Sequence, residues 1–183
     1  MFPDPQDAVP LPPRPDVDQY RKLAKELVKA CAGGAPGSAE AIGDWVDRWL
    51  DALARALGED RNGRARRHFD RLADDIEGFA TRKLLASGGP CTLAGAQFVL
   101  ARAHGFESWP KFVVHVDALV PSGTEAAAFE AAADAIVAGD ETGLRRLLAG
   151  HPELIRQRST REHGATLLHY VSANGVEGWR QKT

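Results

Sequence analysis

Histidine and cysteine are the residues of this 183-residue chain best suited to hold a metal or to act as base and nucleophile, and their spacing argues against both roles. None of the six histidines, His68, His104, His115, His151, His163 and His169, falls in a His-Glu-x-x-His or other tight ligand pattern. Cys31 and Cys91 stand far apart in the chain, with no neighbours that would activate a thiol, so neither a Cys-rich zinc site nor a disulfide framework is predicted. The glycines form no phosphate-cradling loop, and the stretch GRARR at 63–67 is merely basic. Catalysis by Ser, Cys or carboxylate needs groups that converge in space, and nothing in the sequence points to such a set. The expectation is no catalytic residue, no metal and no cofactor. His104 precedes the helix-stopping Gly105 and is read as meeting a helix C-terminal dipole. His115, between Val114 and Val116, is read as a surface or interhelical residue.

Composition narrows the partners. The 23 basic and 25 acidic residues nearly cancel, which disfavours a general nucleic-acid or anionic-membrane binder. A hydrophobic content of 44% is enough to bury a core. No apolar run approaches the roughly 18–20 residues of a membrane span, and MFPDPQDAVPLPPRP lacks the basic and apolar regions of an export signal. With unpaired cysteines added, the expected setting is cytoplasmic and reducing.

The elements that must position any site are helices. Residues 1–15 hold six of the eleven prolines and form an extended arm, which either binds a partner's aromatic groove or packs on its own domain or stays mobile. From Asp16, a cap, Val17, Tyr20, Leu23, Leu27 and Cys31 recur at helical spacing. Ser38 opens a second helix with the stripe Ile42, Trp45, Trp49, Leu53 and Leu57, stopped by Gly58; the tryptophan pair is a core stripe rather than a ligand platform. A third helix spans about 64–86, with Phe69, Leu72, Ile76 and Phe79 inward. Thr92 caps a fourth, which Gly105 breaks. Ser108 and Pro110 start a fifth, carrying Phe112, Val116 and Leu119. No useful strand-like alternation occurs, so the fold class is all-α: a helical bundle at 16–121, a linker at 122–124, and an alanine-rich segment at 125–183.

That last segment has repeat texture. FEAAADAIVAGD is a short helix stopped by Gly139, Asp140 caps ETGLRRLL, and small residues let the two helices approach closely. Setting Gly139 over Gly175 gives a period of 36 residues. In that register GATLLHYVSANG (164–175) resembles the ankyrin-repeat signature, with Gly164 before it, Thr166 opening the first helix, Leu168 and His169 in the Leu-His positions and Gly175 ending the helix. Leu147 and Leu148 stand as the paired leucines of the preceding unit. The two N-terminal stretches LPPRPDVDQYRKLAKELVKA and LAGAQFVLARAHGFESWPKFVVHVDAL look like the helical head that precedes the array in a group of bacterial ankyrin-repeat proteins. The resemblance implies the start of an ankyrin-like solenoid, about one and a half units, and a scaffold that binds another protein without catalysing a reaction. It implies partner contacts at Arg158, Arg161, Glu162 and His163, between the units, and a structural hydrogen bond between His169 and the backbone of a neighbouring unit. VEGWRQKT supplies no second helix, so the chain is expected to be cut within the array, and residues beyond Gly175 are expected to lack support.

One rival has content. TLAGAQFVLARAHGFESWPKF shares the spacing of a DNA-binding helix-turn-helix at about 92–120, but its second helix offers only one lysine and one histidine and carries Asp117. It is poorly equipped to neutralise phosphates or read base edges.

Overall fold

The computed structural model describes residues 3–32, 38–61, 63, 66–85, 90–120, 124–172 and 176–180. Every regular element among them is helical: α1 (Val17–Cys31), α2 (Ser38–Leu57), α3 (Arg66–Leu85), α4 (Leu93–Ala103), α5 (Trp109–Leu119), α6 (Glu125–Ala138), α7 (Glu141–Gly150) and α8 (Leu167–Val171), with short 3-10 turns at Pro5–Asp7, Pro152–Ile155 and Gly178–Arg180. The protein is all-α. Among the described residues no helix is long and apolar enough to cross a membrane.

The helix starts follow from side chains that satisfy otherwise unpaired N–H groups. Asp16 accepts the Asp18 N–H at 2.9 Å, Thr92 that of Gly95 at 3.1 Å, Thr124 that of Ala127 at 3.1 Å and Asp140 that of Gly143 at 2.9 Å. Gly139, at φ +69°, takes the left-handed conformation that ends α6 and lets α7 begin two residues later.

Two compact units result. The first comprises residues 11–103. Helix α1 packs on α2 and α4, and α3 packs on the same two helices. The helical stripes meet in a core of Tyr20, Leu27, Ile42, Trp45, Leu50, Leu72, Ile76 and Leu100, all buried. Trp45 and Trp49 sit in this core with ring centroids 5.3 Å apart, as the stripe required. Cys31 and Cys91 depart from expectation: they form a disulfide with Cα atoms 6.1 Å apart. Sequence distance hid the pair because α2 and α3 fill the interval and return the chain to the end of α1. The argument from isolated thiols for a reducing compartment therefore falls.

The second unit comprises 3–10 and 104–183. Its longer stretch begins at His104, directly after Ala103 of the first unit. Helix α5, expected with the N-terminal bundle, packs on α6. The front of the proline-rich arm is part of this unit too. Ala8 and Val9 are fully buried, the Val9 carbonyl contacts His104 Nδ1 at 2.9 Å, and the Pro5 carbonyl accepts the Glu177 N–H at 2.8 Å.

Because Val9 is enclosed, Val9→Asp places an unpaired carboxylate in the second unit and should destabilise it by about 3 kcal/mol or more. Arg14→Asp, at an exposed position, should stay within about 0.5 kcal/mol of the parent. Paired urea titrations followed by circular dichroism check both.

Candidate functional site

The densest chemistry lies in the second unit, around a carboxylate that the sequence did not single out. Glu177 is fully buried and takes a left-handed φ of +46°, a conformation that costs a non-glycine residue on the order of 1 kcal/mol. Four side-chain donors hold it. Its Oε1 accepts from Arg161 Nη1 at 3.1 Å, His163 Nε2 at 3.0 Å and the Tyr170 hydroxyl at 3.0 Å, and its Oε2 accepts from Arg180 Nε. The ring of His163 is oriented from its other side, where Nδ1 accepts the Ala165 N–H at 3.1 Å, so the proton donated to Glu177 is on Nε2.

Glu130 on α6 is the second anion. It accepts from Arg161 Nη1 at 3.0 Å and from Arg180 Nη2, while Asp134, one turn on, accepts from Arg180 Nη1. Two buried guanidiniums are thereby shared among three carboxylates. The Arg180 guanidinium also lies over the Trp179 ring at 4.3 Å, and that of Arg161 lies 5.7 Å from the Phe106 ring centroid. His115 on α5 adjoins this set. Its Nδ1 lies 2.7 Å from the Thr160 hydroxyl, and its buried Nε2 faces Glu130 at 4.0 Å.

Burial alone would raise the Glu177 carboxyl, but Arg161, the His163 N–H and Arg180 hold it well below the usual carboxylate range. Burial pushes Tyr170 well above the usual phenol range, and the charges of Glu177 and Glu130 push in the same direction. Both nearby histidines move down: His115 to about 4, by burial and then by the charge of Arg161, and His104 to about 3, chiefly by burial. His104 is therefore neutral at pH 7, stacked on Phe112 at 5.1 Å and bonded to the arm. It is not the cation meeting a helix dipole that its place before Gly105 suggested.

The residues expected to contact a partner separate. Arg161 and His163 have nearly enclosed side chains, Arg161 bonded to Glu177 and Glu130 and His163 to Glu177. Arg158 and Glu162 face solvent, with Arg158 Nη1 donating to the Gly164 carbonyl at 2.9 Å. Residues 156–166 form a closed loop, tied by Ser159 N–H to the Ala165 carbonyl at 2.7 Å and turned at Gly164, φ +56°. Thr166 caps α8 together with His169, whose Nδ1 contacts the Thr166 N–H at 3.2 Å and hydroxyl at 2.9 Å. The bond of His169 is thus local to its own helix end. Leu147 and Leu148 lie partly buried against a core of Phe129, Ala132, Leu154, Leu167 and Tyr170. Leu168 is exposed, and Gly175 lies outside the described residues.

Of the residues after Gly175, all expected to lack support, the described ones, 176–180, are instead integral: Val176, Glu177 and Arg180 are all buried. A faint signal was present. Glu177 and Arg180 are one turn apart, beside Val176 and Trp179, and charges flanked by apolar residues in a short segment suit an enclosed pair. The second helix of the helix-turn-helix reading has its lysine paired, Lys111 to Glu107, and its histidine buried. Among the described residues no group of three His, Cys, Asp or Glu is arranged to hold a metal ion.

Neither a protein-family model, nor a curated protein, nor a solved structure matches the chain.

Glu177→Gln keeps the shape but removes the charge between two buried guanidiniums. It should cost about 3–5 kcal/mol in a urea titration. The pH response has a defined sign. The folded pKa values of His104 and His115 lie below the unfolded value of about 6.5, so their contribution is fully present above pH 6.5 and is lost as pH falls toward 4. Stability should decline by up to about 1.4 kcal/mol per pH unit per histidine across that window. The double variant His104→Gln, His115→Gln should be less stable at pH 7 and show a flatter profile between pH 6.5 and 4.5.

Proposed function

We propose that the chain is a protein-binding scaffold of the ankyrin-repeat kind, that it catalyses no reaction, and that its partner docks on the outward face of α8. The observation that carries this reading is the exposure of two apolar residues one turn apart. Leu168 is 75% exposed and Val171 64%, while Leu167 and Tyr170 of the same five-residue helix are buried. Bare leucine and valine side chains on a short, capped helix give little to the fold and much to a complementary surface.

Further support comes from the order of elements. The α6–α7 pair joined at Gly139 and Asp140, the closed loop at 156–166 and the Thr166–His169 cap of α8 follow one another as in a helix-pair repeat with an intervening turn. Arg158 and Glu162, exposed on that loop, stand where such a scaffold presents polar contacts. On this reading Arg161 and His163 act indirectly, by fixing the loop that carries Arg158 and Glu162.

A photo-crosslinking amino acid at Ser172, in cells making the full chain, should give a discrete protein adduct. The adduct should disappear in Leu168→Glu, Val171→Glu. The same variant should melt within about 0.5 kcal/mol of the parent, because both positions are exposed. An adduct that survives the double substitution, or none at Ser172 when one forms at Glu141, would sink the proposed face.

A further inference from the structure

The first unit contains a second chemical feature, independent of the proposed docking face. We propose that Cys31 and Cys91 form a thiol–disulfide exchange site for small disulfides and thiols of the glutathione class, with Cys91 as the sulfur that the reagent meets.

The geometry assigns the two sulfurs different roles. Cys31 ends the buried stripe of α1 and is 2% exposed. The turn holding it is fixed, because the next N–H, that of Ala32, bonds back to the carbonyls of Val28 and Lys29. Cys91 lies in the short segment before Thr92, the residue that caps α4, and is only partly buried. A thiolate approaching from solvent therefore reaches Cys91 Sγ. In reduction, that thiolate bonds to Cys91 Sγ as the Cys31–Cys91 bond breaks, and Cys31 leaves with the electron pair and takes a proton. A second small thiolate then attacks its own kind on the mixed disulfide, forming the small disulfide and releasing Cys91, which is protonated in turn. Oxidation is the reverse: Cys91 takes up half of a small disulfide, and the Cys31 thiolate displaces the small thiol.

Three features favour return to the bonded state. The Cα separation of 6.1 Å lies inside the range that a disulfide spans, roughly 4.4–6.8 Å. Helix α1 packs against α4, the helix that directly follows Cys91, so the partners stay close when the bond is open. The chain has no third cysteine to compete. The open state is also accommodated, because Cys91 Sγ lies 3.6 Å from the Leu84 carbonyl, which can accept its S–H. The bond closes a chain circuit with a sequence separation of 60 residues, which contains all of α2 and α3. Exchange should therefore change the stability of the first unit.

The test uses the full chain equilibrated with reduced and oxidised glutathione at a series of ratios, with free thiols counted by mass after alkylation. One intramolecular bond should form, with loss of both thiols together, and the oxidised chain should melt at least about 5 °C above the reduced one. Cys31→Ala should take up one glutathione at Cys91 rapidly. Cys91→Ala should take it up at Cys31 at least about tenfold more slowly, owing to burial. If both thiols remain alkylatable at every ratio, or if the two single variants are modified at equal rates while still folded by circular dichroism, the proposal is wrong.

Discussion

The second unit depends on a carboxylate that cannot be left alone. A buried anion is tolerated only when charge and hydrogen bonds replace the lost water, and Glu177 receives four donors from three separate stretches: Arg161 and His163 in the loop, Tyr170 in α8 and Arg180 beyond it. Its backbone N–H meanwhile binds the arm at Pro5. That joining explains how a left-handed φ is sustained at a glutamate, since the surrounding bonds over-determine a conformation that the residue would otherwise avoid.

Both units bury large apolar side chains, but the second adds a charge network to them. In the first, long amphipathic helices bury leucine, isoleucine, phenylalanine and tryptophan, and each such side chain contributes about 1.5–3 kcal/mol. In the second, α6 buries Ala128, Ala132, Ala133 and Ala135 with Phe129, and α7 buries no residue fully. Alanine removes little apolar area from water, so α6 gains less by burial than the helices of the first unit, while Phe106, Phe112 and Leu154 are fully buried elsewhere in the second. Directional, charged contacts add to that burial. Arg180 bonds to Glu130 and Asp134 on α6 and to Glu177, so it fixes the register of α6 against the last described residues. The T-shaped contact of Phe129 with Tyr170, at 6.3 Å, ties the apolar and polar layers together.

Local physics was legible in the sequence; convergence was not. The helical stripes, the caps at Asp16, Thr92 and Asp140, and the stop at Gly139 depend on residues within one turn of each other, and they stand where spacing put them. Thr166 opens its helix as the resemblance implied, while His169 bonds at its own helix end rather than to a neighbouring unit. The charge network escaped because its members are scattered. Arg161 and Glu177 look like ordinary surface residues until folding encloses them, with Glu130 half-buried beside them, and composition counts every arginine alike. Cys31 and Cys91 were missed likewise: whether two cysteines meet is a property of helix packing, not of the interval between them.

Closure by Glu177 also changes how the apolar face of α8 is understood. If residues past Gly175 gave no support, exposed Leu168 and Val171 would mark a core with its cover missing, and Leu167 and Tyr170 would be bared with them. Instead Leu167 and Tyr170 are buried in one cluster with Val176, and the Tyr170 hydroxyl is bound by Glu177. The inward side of α8 is therefore satisfied within the unit, and the exposure is confined to its outward side. A helix of five residues that needs a loop clamp, a reciprocal cap and a buried carboxylate to hold its place is strongly positioned for its size. On the proposed docking reading, rigid placement would lower the entropic cost of binding at the exposed apolar pair, because the face is already ordered. The buried charges and the bare leucine are two sides of one arrangement: the first fixes the helix that presents the second.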